Sequence, residues 1–279
     1  MIVLALDTAG VDCAAAVYDS DRDLVLAEIT DSIGKGHAEH LMALIDRVLD
    51  KAGFGLEAVE RIAVTVGPGS FTGIRVGVAA ARGFALALGI PAVGVTTLAV
   101  IAAAHRGEAA GRPILVAMDA KRGEIYLQMF GGDGVPLNDA EAVGVEEAQA
   151  QAQAAPFDGL LAGSAVPLLR GQTADAAGAT PEAAAGNGAR ADDTGDAPAG
   201  KAANVLPIAH GGPAATARQT SGTSPVAGLP VAVLPTANIF PISDVARLGA
   251  HMPVGEKPKP LYLRGPDAKP QLGFAVARQ

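Results

Sequence analysis

The first hundred residues alternate short apolar runs with longer segments in which apolar residues recur every three or four positions. Short unbroken apolar runs are typical of buried strands, whereas the longer spacing is typical of helices packed on one face. This pattern predicts strands over residues 2–6, 13–18, 24–30, 62–66 and 92–95, and helices over 37–49, 74–88 and 97–105. The resulting order, βββαβαβα, indicates an α/β unit in which helices cover a sheet.

A second half begins near Pro113 and repeats the way in which the first half opens. Strands are predicted over residues 114–118 and 124–130, on either side of a short polar turn. In both halves the first strand ends at an aspartate, Asp7 in the first and Asp119 in the second. A strand, an aspartate and a hairpin, occurring twice, form the outline of the duplicated actin-like ATPase (ASKHA) fold. We therefore predict two related α/β subdomains, over residues 1–108 and 109–279, of which the second is reduced.

The composition changes over residues 171–228, where Ala, Gly, Thr, Pro and Asp dominate and large apolar residues are few. Such a segment cannot bury enough apolar surface to offset the entropy that is lost on ordering. We predict a disordered insertion in the second subdomain, with at most a brief contact at residues 205–208. A strand over 231–234 and a helix over 242–248 are predicted to follow it.

The net charge of −8 argues against a protein that grips nucleic acid by itself, since phosphate binding usually requires a basic face. Any RNA is therefore expected to be held mainly by a partner. The lone Cys13 lies in an apolar run, which favours a buried, inert thiol. Residues 83–104 are uncharged, but Gly89, Pro91 and Gly94 interrupt them. With no signal peptide in view, we expect a soluble cytoplasmic protein without a membrane segment.

The run GPGSFTGIRVG at residues 67–77 is rich in glycine and opens a predicted helix. It matches neither a Walker A loop nor the GxGxxG pattern. It is either a tight strand-to-helix turn or a loop whose backbone N–H groups approach an anion. Asp7 and Asp119 are likewise either turn formers or contacts for nucleotide phosphates. The candidate nucleotide- or phosphate-binding residues are Asp7, Thr8, Gly67, Gly69, Ser70 and Asp119.

The helix predicted over residues 74–88 is apolar nearly all round, with Arg75 and Arg82 as its only charges. A helix of this kind must be buried nearly all round. One side can rest on the sheet, and the other needs a cover from the second half or from another chain, which we favour. The candidate interface residues are Gly73, Arg75, Gly77, Val78, Ala81, Arg82 and Ala85, which include a ladder of small residues, with His37 and Leu41 on the neighbouring helix.

His37 and His40 lie three residues apart and share one face of a helix. Two imidazoles without a clear third ligand are weak support for zinc, so a solvated or capping role is the preferred interpretation. No Gly-x-Ser-x-Gly motif is found, and acyl-transfer chemistry therefore has no visible nucleophile.

Taken together, these motifs resemble the TsaB (YeaZ-like) family. Its landmarks occur here in family order, namely Asp7-Thr8, HAEHL at 37–41, GPGSFTGIRVG at 67–77, DAKRGEIY at 119–126 and LYLR at 261–264. The resemblance covers residues 1 to about 165 and about 229 to 266, and it leaves the insertion out.

The resemblance implies an actin-like fold and a place in the bacterial machinery that makes threonylcarbamoyladenosine (t6A) in tRNA. The chain would be a non-catalytic scaffold that pairs with TsaD, the related catalytic subunit, through helices of the two N-terminal halves. TsaD transfers threonylcarbamoyl to N6 of adenosine 37 in ANN-decoding tRNAs, and TsaE, a small P-loop ATPase, joins the complex. A homodimer through the same face stays open for the isolated chain, and no cofactor or metal is expected.

The catalytic relative carries two metal-binding histidines, four residues apart, on the helix that follows the strand corresponding to 92–95. Thr97 and Ile101 stand at those positions in this sequence. A site that lacks both imidazoles would lose its ion, so transferase or peptidase activity is not expected from this chain alone.

Two other functions remain as alternatives. An actin-like ATPase or sugar kinase would use Asp7 and Asp119, although Lys121-Arg122 replaces the second glycine-rich turn and a later glycine pair is reduced to Gly163 and a serine. A metal-dependent peptidase would use His37 and the neighbouring His40, but it lacks a general base at a recognised spacing.

Overall fold

Two β-sheets organise the chain in the computed structural model, which describes residues 1–154, 157–171 and 240–264. The first sheet has five strands in the order β3-β2-β1-β4-β5. They are β1 (Ile2–Asp7), β2 (Asp12–Asp19), β3 (Leu24–Ser32), β4 (Arg61–Gly67) and β5 (Ala92–Thr96). β1, β2 and β3 form an antiparallel meander, and β4 and β5 continue the sheet parallel to β1.

Helices cover both faces of this first sheet. α1 (His37–Ala52) and α2 (Phe71–Leu88) pack on one face, where Leu4 and Leu6 of β1 point. α7 (Ile242–His251) packs on the other face, against Val3 and Ala5. Because successive strand residues point to opposite faces and both faces are covered, β1 reads as an unbroken apolar run in the sequence.

The second sheet has four strands in the order β8-β7-β6-β9. They are β6 (Ile114–Lys121), β7 (Glu124–Phe130), β8 (Glu141–Gly144) and β9 (Leu160–Ala162). α3 (Thr97–Ala104) packs on one face, and α5 (Val145–Ala154) and α6 (Val166–Leu169) lie on the other. The short helix α4 (Arg106–Ala109) and the 3-10 turn Leu56–Ala58 complete the described elements.

The ends of α1 and α2 follow from local capping chemistry. Both helices end at a glycine in the left-handed region, Gly53 with φ 73° and Gly89 with φ 68°. At the start of α2, the Ser70 hydroxyl accepts a hydrogen bond from the Gly73 amide at 3.2 Å. This cap starts α2 at Phe71, three residues earlier than the apolar spacing predicts, and shortens the glycine loop accordingly.

The predicted α/β class and the element order of the first half are confirmed. The stretch at residues 83–104 divides, as predicted, into the end of α2, the strand β5 and the helix α3. The elements β8, α5, β9 and α6 were not predicted from the sequence, because their apolar runs are short. Of the insertion predicted over 171–228, all residues after Gly171 lie outside the described residues, and so do the contact at 205–208 and the strand at 231–234.

The helix predicted over residues 242–248 is present and longer, and its position is informative. Although it follows the second half in the chain, α7 packs on the first sheet, with Gly249 close to the Cβ of Ala63. The first sheet is therefore covered in part by α7, the segment of the chain that returns to it after the second sheet. The subdomain boundary near residue 108 stays a prediction.

Candidate functional site

A cleft of about 510 Å³ lies between the two sheets, at the ends of β1 and β6. Both strand-end aspartates, Asp7 and Asp119, line it, and so do Gly69 and Ser70 of the glycine loop. Four of the six predicted nucleotide-site residues thus meet in one cavity. The duplicated strand-and-hairpin pattern brings them together, because each half places its aspartate at the same end of its first strand.

Asp7 is buried and already hydrogen-bonded within the chain. Its Oδ1 accepts a short hydrogen bond from the Thr65 hydroxyl and another from the Ala9 amide at 3.0 Å. Burial raises the pKa of the Asp7 carboxyl above its ordinary value, and the bonds from Thr65 and Ala9 oppose that rise. The carboxyl therefore carries an energetic cost when it is ionised.

Asp119 is more accessible, but the adjoining hairpin turn occupies both of its oxygens. The Lys121 amide donates to Oδ1 and the Lys121 ammonium to Oδ2, each at 2.7 Å. The Asp119 amide donates to the Ser164 hydroxyl at 3.0 Å. The two strand-end aspartates of the cleft are thus both held by donors of this chain.

The glycine loop packs tightly on the end of β1. A Cβ on Gly69 would lie 2.4 Å from the Ala9 carbonyl oxygen, and the Ser70 amide donates to that same oxygen at 2.7 Å. Gly67 has φ 104°, in the left-handed region that favours glycine. These contacts favour the interpretation of the loop as a tight strand-to-helix turn.

Two predicted nucleotide-site residues do not line the cleft. The Thr8 hydroxyl is buried and donates to the Gly73 carbonyl at 2.7 Å, which ties β1 to α2. Gly67 instead faces the C-terminal segment, where the Leu261 carbonyl oxygen lies 3.0 Å from the position of a Cβ. Both residues act in packing.

The glycines of the small-residue ladder on α2 point towards the core of their own chain, and this corrects the predicted interface. A Cβ on Gly73 would lie 1.9 Å from the Thr8 carbonyl oxygen, and one on Gly77 would lie 2.5 Å from the Thr8 hydroxyl. The ladder therefore serves the close approach of α2 to the end of β1. Six predicted interface residues are buried in the chain's own core and expose little surface to a partner, namely Gly73, Gly77, Val78, Ala81, His37 and Leu41.

The opposite side of α2 is exposed, and we call it the outer face. Only 28% of the residues of α2 are buried. By length and composition alone, the helix is also apolar and long enough to cross a membrane. Its other predicted residues, Arg75, Arg82 and Ala85, are exposed or half-buried. The residues of the outer face are Phe71, Arg75, Ala79, Arg82 and Leu86. Leu86 is 79% exposed. Helical spacing places it on the same face as Arg75 and Arg82, so the sequence could have predicted its exposure.

An aromatic–arginine cluster stands at the N-terminal end of the outer face. The Arg75 guanidinium lies 3.7 Å from the ring centroid of Phe71, and its Nε donates to the Tyr262 hydroxyl at 2.9 Å. The rings of Phe71 and Tyr262 are 5.2 Å apart. Sequence reasoning gave Arg75 alone, since Tyr262 is far along the chain.

The histidines of α1 do not act as a pair. His37 is buried and its Nε2 lies 3.1 Å from the Asp12 carbonyl oxygen, whereas His40 is exposed and lies 3.9 Å from Asp31. Within the described ranges, no group of three or more His, Cys, Asp or Glu side chains could hold a metal ion. At the start of α3, Thr97 is buried beside the cleft and Ile101 packs in the core.

Comparison with known proteins identifies the family. The family model described as TsaD, tRNA N6-adenosine threonylcarbamoyltransferase, matches residues 25–164, which is half of the chain. The Escherichia coli protein named tRNA threonylcarbamoyladenosine biosynthesis protein TsaB is 35% identical over 134 residues, covering 48% of this chain and 56% of that protein. Its Buchnera aphidicola namesake is 34% identical over 125 residues, covering 45% and 58%.

A solved structure supports the same relationship. A Pseudomonas aeruginosa protein described as similar to peptidase YeaZ superposes with a TM-score of 0.52 at 29% identity, covering 58% of this chain and 74% of its own. The chain spans a little over half the length of the curated relatives it matches. The chain belongs to the TsaD family, and within that family it is similar to the TsaB (YeaZ-like) proteins.

Proposed function

We propose that this chain is a scaffold subunit in the cytoplasmic biosynthesis of t6A, and that it lacks the catalytic site. In this role it pairs with a catalytic TsaD subunit, which transfers threonylcarbamoyl to N6 of adenosine 37 in ANN-decoding tRNA, and with the TsaE ATPase. The tRNA is held through the complex, in keeping with the chain's net charge of −8. The names of its relatives support the pathway.

The observation that carries the scaffold role is the outer face of α2. A surface helix normally turns polar side chains to water, but this face presents Phe71, Ala79 and Leu86 beside its two arginines. Apolar surface gains about 25 cal/mol for each Å² removed from water, so covering this face stabilises an assembly. α1 lies beside α2 and exposes Met42, which extends the surface that a second chain can cover.

The residues at the start of α3 support the absence of a catalytic centre. The positions that correspond to the two metal-binding histidines of the catalytic relative hold Thr97 and Ile101. The Ile101 side chain offers no ligand atom, and it packs with Ile114 and Val116 of the second sheet. A metal-dependent transfer therefore has to take place on the paired subunit.

The substitution Leu86→Glu tests whether the outer face of α2 docks on the partner. Leu86 is so exposed that the isolated chain should fold normally, but in the complex its apolar contact would be lost and the new carboxylate would lose its water. We expect the Kd for the organism's TsaD to rise by about a hundredfold or more. The complex is measured by size-exclusion chromatography with light scattering and by calorimetric titration.

The matched control is Leu137→Glu, because Leu137 is an exposed leucine on the loop after β7. This control should bind TsaD as the unaltered chain does. A glutamate at Val78 or Ala81 would not serve, since both side chains are buried in the core. If the unaltered chain and folded TsaD form no complex, and t6A formation by TsaD and TsaE does not depend on the chain, the scaffold proposal is wrong.

Nucleotide binding in the cleft is a second candidate function, and the cavity that Asp7 and Asp119 share favours it. Against it, Thr65 and Lys121 already donate to these carboxylates. Sustained ATP turnover by the isolated chain would favour this alternative over the scaffold role.

A further inference from the structure

The aromatic–arginine cluster has the composition of a binding hot spot. Phe71 is 49% exposed and Tyr262 is 46% exposed, although large aromatic side chains are usually covered in a folded chain. Tyrosine and arginine are enriched among the few residues that supply most of the binding energy at protein interfaces. The cluster is therefore a candidate anchor rather than ordinary surface.

Arg75 is held in place before any partner arrives. Its guanidinium stacks on Phe71 at 3.7 Å and donates to the Tyr262 hydroxyl at 2.9 Å. Within the part of the chain that the structure describes, no carboxylate lies within ion-pair distance of Arg75. The charge is thus oriented without being neutralised, and an oriented side chain loses little entropy on binding.

The C-terminal segment that carries Tyr262 is fixed on both sides of it. The Leu261 amide donates to the Val66 carbonyl at 2.7 Å, just before the glycine loop. Arg264 forms an ion pair with Glu124 of β7 at 3.1 Å. Tyr262 therefore joins the outer face of α2 as part of a fixed surface.

The charge of this surface indicates the chemistry of its partner. α2 carries Arg75 and Arg82 and no acidic residue, in a chain whose net charge is −8. A partner that covers this face buries or closely approaches both cations, which is favourable only if carboxylates meet them. A second copy docked α2 against α2 would instead bring like charges together.

We propose that Phe71, Arg75 and Tyr262 form the anchor of a docking surface that consists of the outer face of α2 and Tyr262. The anchor receives an apolar helix face, rimmed with acidic residues, of a different chain. A carboxylate of that face meets Arg75, and an apolar side chain packs on the two rings. This inference rests on the proposed function, for which the occupant is the paired catalytic subunit.

The experiment measures the Kd of the full chain for the organism's TsaD with single variants of the anchor. We expect Arg75→Ala and Phe71→Ala each to weaken binding about 30-fold, as hot-spot truncations do. Tyr262→Phe keeps the ring and removes only the hydroxyl that orients Arg75, so a loss of about threefold is expected. Arg75→Glu should weaken binding more than Arg75→Ala, because it repels the acidic rim.

Matched controls come from exposed residues away from the outer face. Arg106→Ala removes an exposed arginine on α4, and Leu137→Ala removes an exposed apolar side chain after β7. Both should bind TsaD within about twofold of the unaltered chain. Circular dichroism and thermal melts check that every variant is folded.

The outcomes separate this inference from the function on which it rests. If Leu86→Glu abolishes binding and the anchor variants bind normally, the anchor is wrong and the scaffold proposal stands. If the unaltered chain does not bind TsaD, both are wrong. If the isolated chain dimerises and Arg75→Ala dissociates that dimer, the occupant is a second copy. If the Kd does not rise with ionic strength, the acidic rim is wrong.

Discussion

At the scale of single residues, Asp7 illustrates how a motif residue can serve the fold. It closes β1, and its Oδ1 accepts hydrogen bonds from Thr65 of β4 and from Ala9. It thereby links two neighbouring parallel strands at the floor of the cleft. Since burial raises the pKa of its carboxyl, the interaction has a pH dependence of known sign.

The substitution Asp7→Asn tests that pH dependence. Below the ordinary carboxyl pKa of about 3.9, Asp7 is protonated in both the folded and the unfolded chain. As pH rises, the unfolded chain loses its proton first, and the folded chain loses stability up to its raised pKa. Asparagine keeps the acceptor oxygen and does not titrate. The free energy of unfolding of Asp7→Asn, relative to the unaltered chain, should therefore increase as the pH rises above about 4, until it passes the raised pKa of Asp7.

Urea unfolding at several pH values measures this difference. Asp46→Asn is the matched control, because Asp46 is an exposed aspartate on α1. If Asp7→Asn loses stability relative to the unaltered chain as pH rises, the ionised carboxylate is favourably held and the burial argument is wrong.

At the scale of elements, the sequence predicted the first half well because its signals are local. Unbroken apolar runs gave β1, β2 and β4, and the glycines at 53 and 89 marked the ends of α1 and α2. The orientation of α2 was the main error. A ladder of small residues permits close approach to any backbone, so its spacing alone cannot distinguish a partner helix from the end of a strand.

The glycines of α2 give a direct test of this correction. In Gly73→Ala, the new methyl group would lie 1.9 Å from the Thr8 carbonyl oxygen, so β1 and α2 must separate. Overpacking of this kind costs roughly 1–3 kcal/mol, and we expect at least that loss in the free energy of unfolding.

Gly83→Ala, in the same helix, is the matched control. A Cβ on Gly83 meets no atom within 4 Å, so alanine should stabilise the helix by about 0.5–1 kcal/mol. Chemical denaturation of the two variants measures the contrast. Equal effects at the two positions would mean that the ladder is not packed against Thr8.

At the scale of the whole molecule, the cleft and the aromatic–arginine cluster both depend on segments that are far apart in the chain. The cleft requires aspartates from two halves, and the repeated strand-and-hairpin pattern made that meeting predictable. The return of α7 to the first sheet and the contact of Tyr262 with Arg75 were not predictable, because they join residues far apart in the chain. Local periodicity carries no information about such contacts.

The returning segment is attached to the first sheet by Arg61, at the start of β4. Its Nη1 donates to the carbonyls of Gly249, Ala250 and Met252 at 3.0, 2.7 and 3.0 Å. These carbonyls end α7, where a cation also interacts favourably with the helix dipole. Arg61 thus combines hydrogen bonding and charge at the contact between the start of β4 and the end of α7.

The substitution Arg61→Met keeps the apolar stem of the side chain and removes the Nη1 group that donates all three hydrogen bonds. Hydrogen bonds from charged groups contribute roughly 1.5–3 kcal/mol, so we expect a loss of that order in the free energy of unfolding by urea. Limited proteolysis should become faster after residue 240, since α7 would detach more readily. Arg247→Met is the control, because Arg247 is exposed on α7 and its ion pairs with Asp23 and Asp244 should contribute less than about 1 kcal/mol. If both variants lose the same stability, α7 is held by its apolar face alone, and Arg61 does not fix the returning segment that leads to Tyr262.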